Sequence, residues 1–222
     1  MAEIGNGYGS EFQLMRFLGH HREELDSTIK KELREEGEIR WLDFPYDSTK
    51  KSGDSEYVGI EFLKNETNYQ SIKAEWEKIW PSVNNAQNWD AIAKIGTRWL
   101  LIEAKAHKNE IISDCKASKS SKEIIIASMQ QVQLDKGIKT QNDWLIKYYQ
   151  KANRLLFLHF LEKININTTL LYIYFTNGYL DKGIKSKAEW KAIIEDEDYY
   201  LGIANNKWVE EKVKNVFIEC KP

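Results

Sequence analysis

The chain is expected to form an α/β fold, a central mixed β-sheet flanked by helices. Apolar residues recur at three- and four-residue steps from Tyr8 to about Glu36, and a second helical segment runs from Asn142 to about Glu162. Between and after them lie short β-branched and aromatic runs bounded by turn residues. Helix, strands, helix and strand therefore follow one another along the sequence.

The first helix carries Leu14, Leu18, Leu25, Ile29 and Leu33 on one stripe. Before it, Gly5-Asn6-Gly7-Tyr8-Gly9-Ser10 follows no strand and lacks the lysine of a phosphate loop, so it reads as an entry ending in a Ser N-cap. His20 and His21, adjacent in mid-helix, face different ways and cannot form a two-histidine clamp. Strands are expected at Glu38–Phe44 and Glu56–Leu63, with Ser52-Gly53-Asp54 as the turn between them. A short helix over Tyr69–Trp80 is closed by Pro81. Two strands follow, joined at Ile95-Gly96-Thr97. The second long helix is apolar on more than one face through Trp144, Leu145, Tyr148, Ala152, Leu155, Leu156 and Phe160, so it should be largely buried. Thr168 to Phe175 forms a strand ending in the Thr176-Asn177-Gly178 turn.

With 222 residues, 42% of them hydrophobic and 12% aromatic, the chain can bury an ample core as one domain. No run of about eighteen apolar residues and no signal-peptide pattern is present, so neither a membrane span nor export is expected. Cys115 and Cys220 lack metal-ligand spacing and read as reduced thiols of a cytoplasmic protein. A net charge of −2 gives no support to strong nucleic-acid binding unless positive potential is gathered locally. Lys105, Lys108, Lys116, Lys119 and Lys122 do cluster in sequence, either as a backbone-tracking stretch or as a solvated loop. Neither a G-x-S-x-G elbow nor an H-E-x-x-H helix occurs, which removes the usual support for serine-hydrolase or zincin chemistry.

The most informative segment runs from Asn88-Trp89-Asp90 to Trp99-Leu100-Leu101-Ile102-Glu103-Ala104-Lys105. A hairpin would set Asp90 alongside Glu103, and strand alternation turns Glu103 and Lys105 to the same face. Two carboxylates, with the Ala104 carbonyl, can hold a hard octahedral cation such as magnesium while leaving waters in place. That cation can polarise a phosphoryl oxygen, and Lys105 can orient or deprotonate the attacking water. Three further E-x-K triplets occur. Glu189-Trp190-Lys191 and Glu210-Glu211-Lys212 lie in charged helical stretches, and Glu219-Cys220-Lys221 ends a strand with no acid-bearing neighbour before it. Only Glu103 follows a fully apolar run, where charge is costly unless paired or metal-bound.

These residues resemble the PD-(D/E)xK nuclease superfamily, the restriction-endonuclease-like fold, with Trp89 standing where that pattern usually has proline. The segments Asn88–Ala91, Trp99–His107 and Tyr148–Leu155 are similar to an uncharacterised bacterial branch of it. The resemblance implies a single domain over 1–222, with an insertion at about 108–141 between the last catalytic strand and the second helix. It also implies that Asp90, Glu103 and Ala104 bind Mg2+ or Mn2+. A first-helix glutamate often joins such a metal shell, and Glu11 is the candidate, the alternative being a helix-start acid favoured by the macrodipole. Gln150 is a further candidate, reaching Lys105 or a substrate phosphate, unless it satisfies loop backbone. His107 could face the site or serve the strand end.

The expected function is metal-dependent hydrolysis of nucleic-acid phosphodiester bonds, DNA before RNA, with Lys108, Lys116, Lys119 and Lys122 binding the polymer. No membrane partner is expected, and a homodimer is left open. Two other readings stay open: a non-catalytic nucleic-acid or protein-binding module on the same fold, and a metal-dependent hydrolase of a small phosphorylated molecule.

Overall fold

The structure, a computed structural model, describes residues 8–45, 49, 56–81, 86–179 and 183–221. Gly5–Gly7 and the Ser52-Gly53-Asp54 turn lie outside the described residues. The first apolar stripe folds as two helices, α1 (Ser10–His20) and α2 (Arg22–Leu33), where one was expected. The break falls at His21 (φ −132°, ψ 34°), just after Gly19, a poor helix residue. His20 and His21 thus mark a kink, and the N-cap of α1 is Gly9 at φ 100° in place of Ser10.

Strand β1 (Ile39–Trp41) is shorter than the expected Glu38–Phe44. The expected strand over Glu56–Leu63 survives only as β2 (Tyr57–Val58). There Gly59 adopts φ 51° and Glu61–Leu63 winds into a 3-10 turn. The Glu61 carboxylate accepts the Val58 amide at 3.2 Å, a local bond that competes with continued pairing. Helix α3 (Tyr69–Ile79) stops where Trp80 turns extended ahead of Pro81. The short β3 (Asn88–Trp89) pairs with β2. Next, β4 (Ala91–Ile95) and β5 (Arg98–Lys105) form the hairpin through Gly96, whose φ of 55° suits the turn.

Within 108–141 the chain forms a 3-10 turn at Lys108–Glu110 and then α4 (Lys119–Asp135). Helix α5 (Tyr149–Lys163) begins later than its apolar pattern suggests. The preceding residues bond instead to the 113–115 segment, with Ser113 N–H on Lys147 O and Cys115 N–H on Leu145 O, both at 2.8 Å. Ser113 also closes the helix start, its hydroxyl accepting the Gln150 amide at 2.8 Å. Strand β6 (Thr168–Thr176), α6 (Lys187–Leu201), α7 (Lys207–Lys212) and β7 (Val213–Glu219) complete the described elements.

The five-stranded sheet has the order β1-β4-β5-β6-β7, with the first two pairings antiparallel and the last two parallel. Its strands divide the core in two. Leu100, Ile102 and Ala104 face α1 and α2, packing with Leu14, Phe17, Leu25 and Ile29. Leu101 and Trp99 face the other way, into a cluster with Trp76, Met129, Leu155, Phe157 and Trp190 from α3 to α6. No helix among the described residues is long and apolar enough to cross a membrane.

Candidate functional site

Asp90 occupies the single residue between β3 and β4, where the chain leaves one ladder and enters another. In the first ladder Tyr57 pairs with Trp89, so one further step brings Glu56 opposite Asp90. In the second, Ala91 pairs with Ile102, and one step back brings Glu103 opposite it. The Asp90 carboxylate then accepts the Ala104 amide at 2.7 Å, substituting for a β4 partner that the ladder no longer supplies. Because one strand residue directs its amide and carbonyl to the same side, the Ala104 carbonyl is aimed along the Asp90 edge as well.

Glu103 and Lys105 share the face covered by α5. Both are buried, at 1% and 6% exposure, and their charged ends stand 3.5 Å apart. From α5, Arg154 places Nε on Glu103 Oε2 and Nη2 on the Asn88 carbonyl at 2.6 Å, with its guanidinium 4.7 Å from the centre of the Trp89 ring. Gln150, one turn earlier, donates to Glu103 Oε1 at 3.2 Å. The sequence candidates Asp90, Glu103, Ala104, Lys105 and Gln150 are therefore brought together. Arg154 belongs with them. Its burial on an apolar helix signals a need for a partner, but nothing in the sequence identifies Glu103 as that partner.

Charge is unevenly compensated in this cluster. Burial pushes the Asp90 pKa up to about 8, helped by Glu103 and opposed by Lys105 and the Ala104 amide, with Glu56 adding to the rise. Burial also acts to raise Glu103, yet Arg154 and Lys105 outweigh it and hold that carboxyl below its ordinary range. One acid is thus kept ionised by cations and its neighbour is left short of one. That imbalance favours any further cation that reaches Asp90.

Other candidates sit further out. Glu11 is half-buried in the first turn of α1, on the helix layer that covers the opposite face of the sheet from Glu103 and Lys105. The start of α1 is pinned near the end of β5, since Gly178 O accepts the Gly9 amide at 3.0 Å and Gly178 packs against Ala106. His107 accepts the Asn109 amide at 3.1 Å and packs at a tilt against the Tyr179 ring, centroids 4.8 Å apart, a strand-end arrangement. Lys108, Lys116 and Lys119 are exposed and Lys122 is half-buried. Lys119 and Lys122 lie in the first turns of α4, adding their charge to the positive end of its dipole. Lys116 also pairs with Asp114 at 3.7 Å in solvent. Two further acids carry no signal in the sequence: Glu56, opposite Asp90 by the β2–β3 register, and Glu110, which accepts the Ala106 amide at 2.7 Å and closes the end of β5. Neither lies in a motif, and both depend on pairings set by the tertiary fold.

Among the described residues, no group of three or more His, Cys, Asp and Glu side chains is arranged to hold a metal ion. The donors within reach are the Asp90 and Glu103 carboxylates and the Ala104 carbonyl. That set fits a hard divalent cation that retains several waters, and does not fit a fully protein-coordinated one. Such a cation would share Glu103 with Arg154 and Gln150. No protein-family model, curated protein or solved structure matches this chain.

Proposed function

We propose that the protein is a magnesium- or manganese-dependent nuclease that hydrolyses phosphodiester bonds of nucleic acid, with DNA the substrate to try first. We further propose that it is a PD-(D/E)xK member with a restriction-endonuclease-like fold, acting in the cytoplasm. One observation carries this reading: Asp90, clamped to the Ala104 amide, stands opposite Glu103, one step beyond the Ala91–Ile102 pair, while Lys105 projects from the same face as Glu103. The order of helix, antiparallel β1, β4 and β5, helix α5 and parallel β6 is consistent with it.

In this reading Asp90, Glu103 and the Ala104 carbonyl hold the cation, which when bound supplies electrophilic polarisation of the scissile phosphoryl group. Lys105, with Glu103 as its counter-charge, orients the attacking water. Arg154 and Gln150 fix the Glu103 carboxylate so that it does not swing as charge develops. Water adds across one P–O bond: its oxygen goes to phosphorus, and its protons go to the departing oxygen and to solvent. Lys119 and Lys122, in the first turns of α4, favour a polymer backbone over a small phosphorylated molecule, with Lys108 and Lys116 exposed ahead of them in the chain.

Calorimetric titration with manganese, parent against Asp90→Ala, followed by incubation of both with plasmid DNA, tests the proposal. Binding and cleavage by the parent that both vanish in the variant are expected. Cleavage that survives Asp90→Ala would sink it.

A further inference from the structure

A cleft of about 700 Å³ adjoins the carboxylate cluster and shares a wall with it. Gln150 and Arg154 line the cleft while bonding to Glu103, so whatever occupies it lies beside the reacting group. Trp80, Ile125 and Tyr149 supply apolar and aromatic surface. Gln87, Asn153, Ser118 and Ser121 supply neutral hydrogen-bonding groups. The volume suits a nucleoside-sized ligand.

The charges argue against a phosphate as the occupant. Glu110 and Asp114 line the same cleft and offset Lys116, which is itself paired with Asp114, and Arg154 is taken up by Glu103 and the Asn88 carbonyl. What remains is an apolar and aromatic lining edged with amides and hydroxyls. Two of the residues lining it hold buried polar atoms without hydrogen-bond partners among the described residues: Gln87 Oε1, an acceptor, and Trp80 Nε1, a donor. Gln87 spends its amide NH2 on Asn153 Oδ1, leaving the oxygen over. Gln87 is 2% exposed and Trp80 4%, so neither atom is served by bulk water. Each is a buried polar atom on a residue of the cleft wall, an acceptor on Gln87 and a donor on Trp80, and such groups call for a partner from a ligand or water.

We infer that the cleft is a binding site for a single unpaired nucleobase, stacked on its aromatic wall and read at its polar edge by Gln87 and Asn153. Amide side chains match the donor and acceptor edges of bases, and stacking on Trp or Tyr is open to any base turned out of its strand. The inference rests on the nuclease reading for its biological meaning, since a base held here would set the next phosphodiester against Asp90 and Glu103. Its test does not rest on that reading.

The four deoxynucleoside 5′-monophosphates are titrated calorimetrically into the full chain with a chelator present, so that no metal centre contributes. The expected result is millimolar or tighter binding with preference for one base. Ala117→Trp, a substitution at a half-buried position on the cleft wall, weakens it by about tenfold or more. Gln87→Met flattens the preference among the bases, and circular dichroism confirms that both variants are folded. Failure of the parent to bind any of the four, or equal binding by a folded Ala117→Trp protein, would overturn the inference even if DNA cleavage is found. Base binding without cleavage would leave it standing and remove the nuclease reading alone.

Discussion

The two faces of the central sheet are built from the same strands and yet differ in kind. Toward α1 and α2, β5 presents Leu100, Ile102 and Ala104 to a layer of Leu14, Phe17, Leu25 and Ile29, and apolar burial is the main contact between the layers, with polar links such as Trp41 Nε1 to Asp26 at 2.8 Å on its edges. Toward α5 and α6 the same strand presents Leu101, Glu103 and Lys105, and the facing helices answer with Arg154, Lys151 and Glu197, all nearly inaccessible to solvent. Lys151 is tied to Glu197 at 2.9 Å and also to Asp198, and Arg154 is tied to Glu103. Buried ion pairs add little net stability over apolar residues of the same shape. Their concentration on one face, ending at a carboxyl without a cation of its own, puts the buried charge on that face and leaves the other to apolar packing.

The largest expected effect breaks the chemistry and spares the packing. Lys105→Ala lowers metal-dependent cleavage by about 10³-fold, or about 4 kcal/mol of transition-state stabilisation, in a protein whose circular dichroism is unchanged. Undiminished cleavage would move the water-orienting role away from Lys105. The converse change is on the other face. Leu25, with 0% exposure, leaves a cavity as Leu25→Ala and costs about 3 kcal/mol in urea unfolding, while cleavage per folded molecule stays at the parent level. A loss of turnover larger than the loss of folded protein would show that the two faces are coupled.

The smallest effect separates them by pH. The Asp90 carboxyl keeps its proton up to about pH 8 when folded, whereas its ordinary pKa is 3.8. Between those values the unfolded state binds fewer protons than the folded one, so the parent loses stability as pH rises through the window. Asp90→Asn has no such ionisation. Its thermal stability relative to the parent therefore grows between about pH 5 and about pH 8, by about 1–2 kcal/mol because part of Asp90 still reaches solvent. A pH-independent difference would mean that Asp90 ionises normally.

How much of the site could be seen in the sequence depended on distance along the chain. Glu103, Lys105 and the approach of Asp90 follow from strand alternation and one tight turn, both local. Gln150 is legible as a polar residue on a helix otherwise fit for burial, but its target Glu103, which Arg154 also bonds, lies across the sheet. Glu56 and Glu110 gave no signal, because the first depends on the β2–β3 register and the second on a turn folding back over the Ala106 amide.

The sequence by itself determined the α/β class, the apolar stripes of α1, α2 and α5, the β4–β5 hairpin and the side-by-side projection of Glu103 and Lys105. Each of these is governed by neighbours within a few residues, where periodicity and turn geometry act directly. Only the tertiary structure decided that α5 starts at Ser113's cap and not at Asn142. It also decided which buried cation faces which buried acid. Those outcomes turn on hydrogen-bond partners and charges brought from distant parts of the chain, and they win because a buried polar group left unpaired costs more than local helix or strand preference can return.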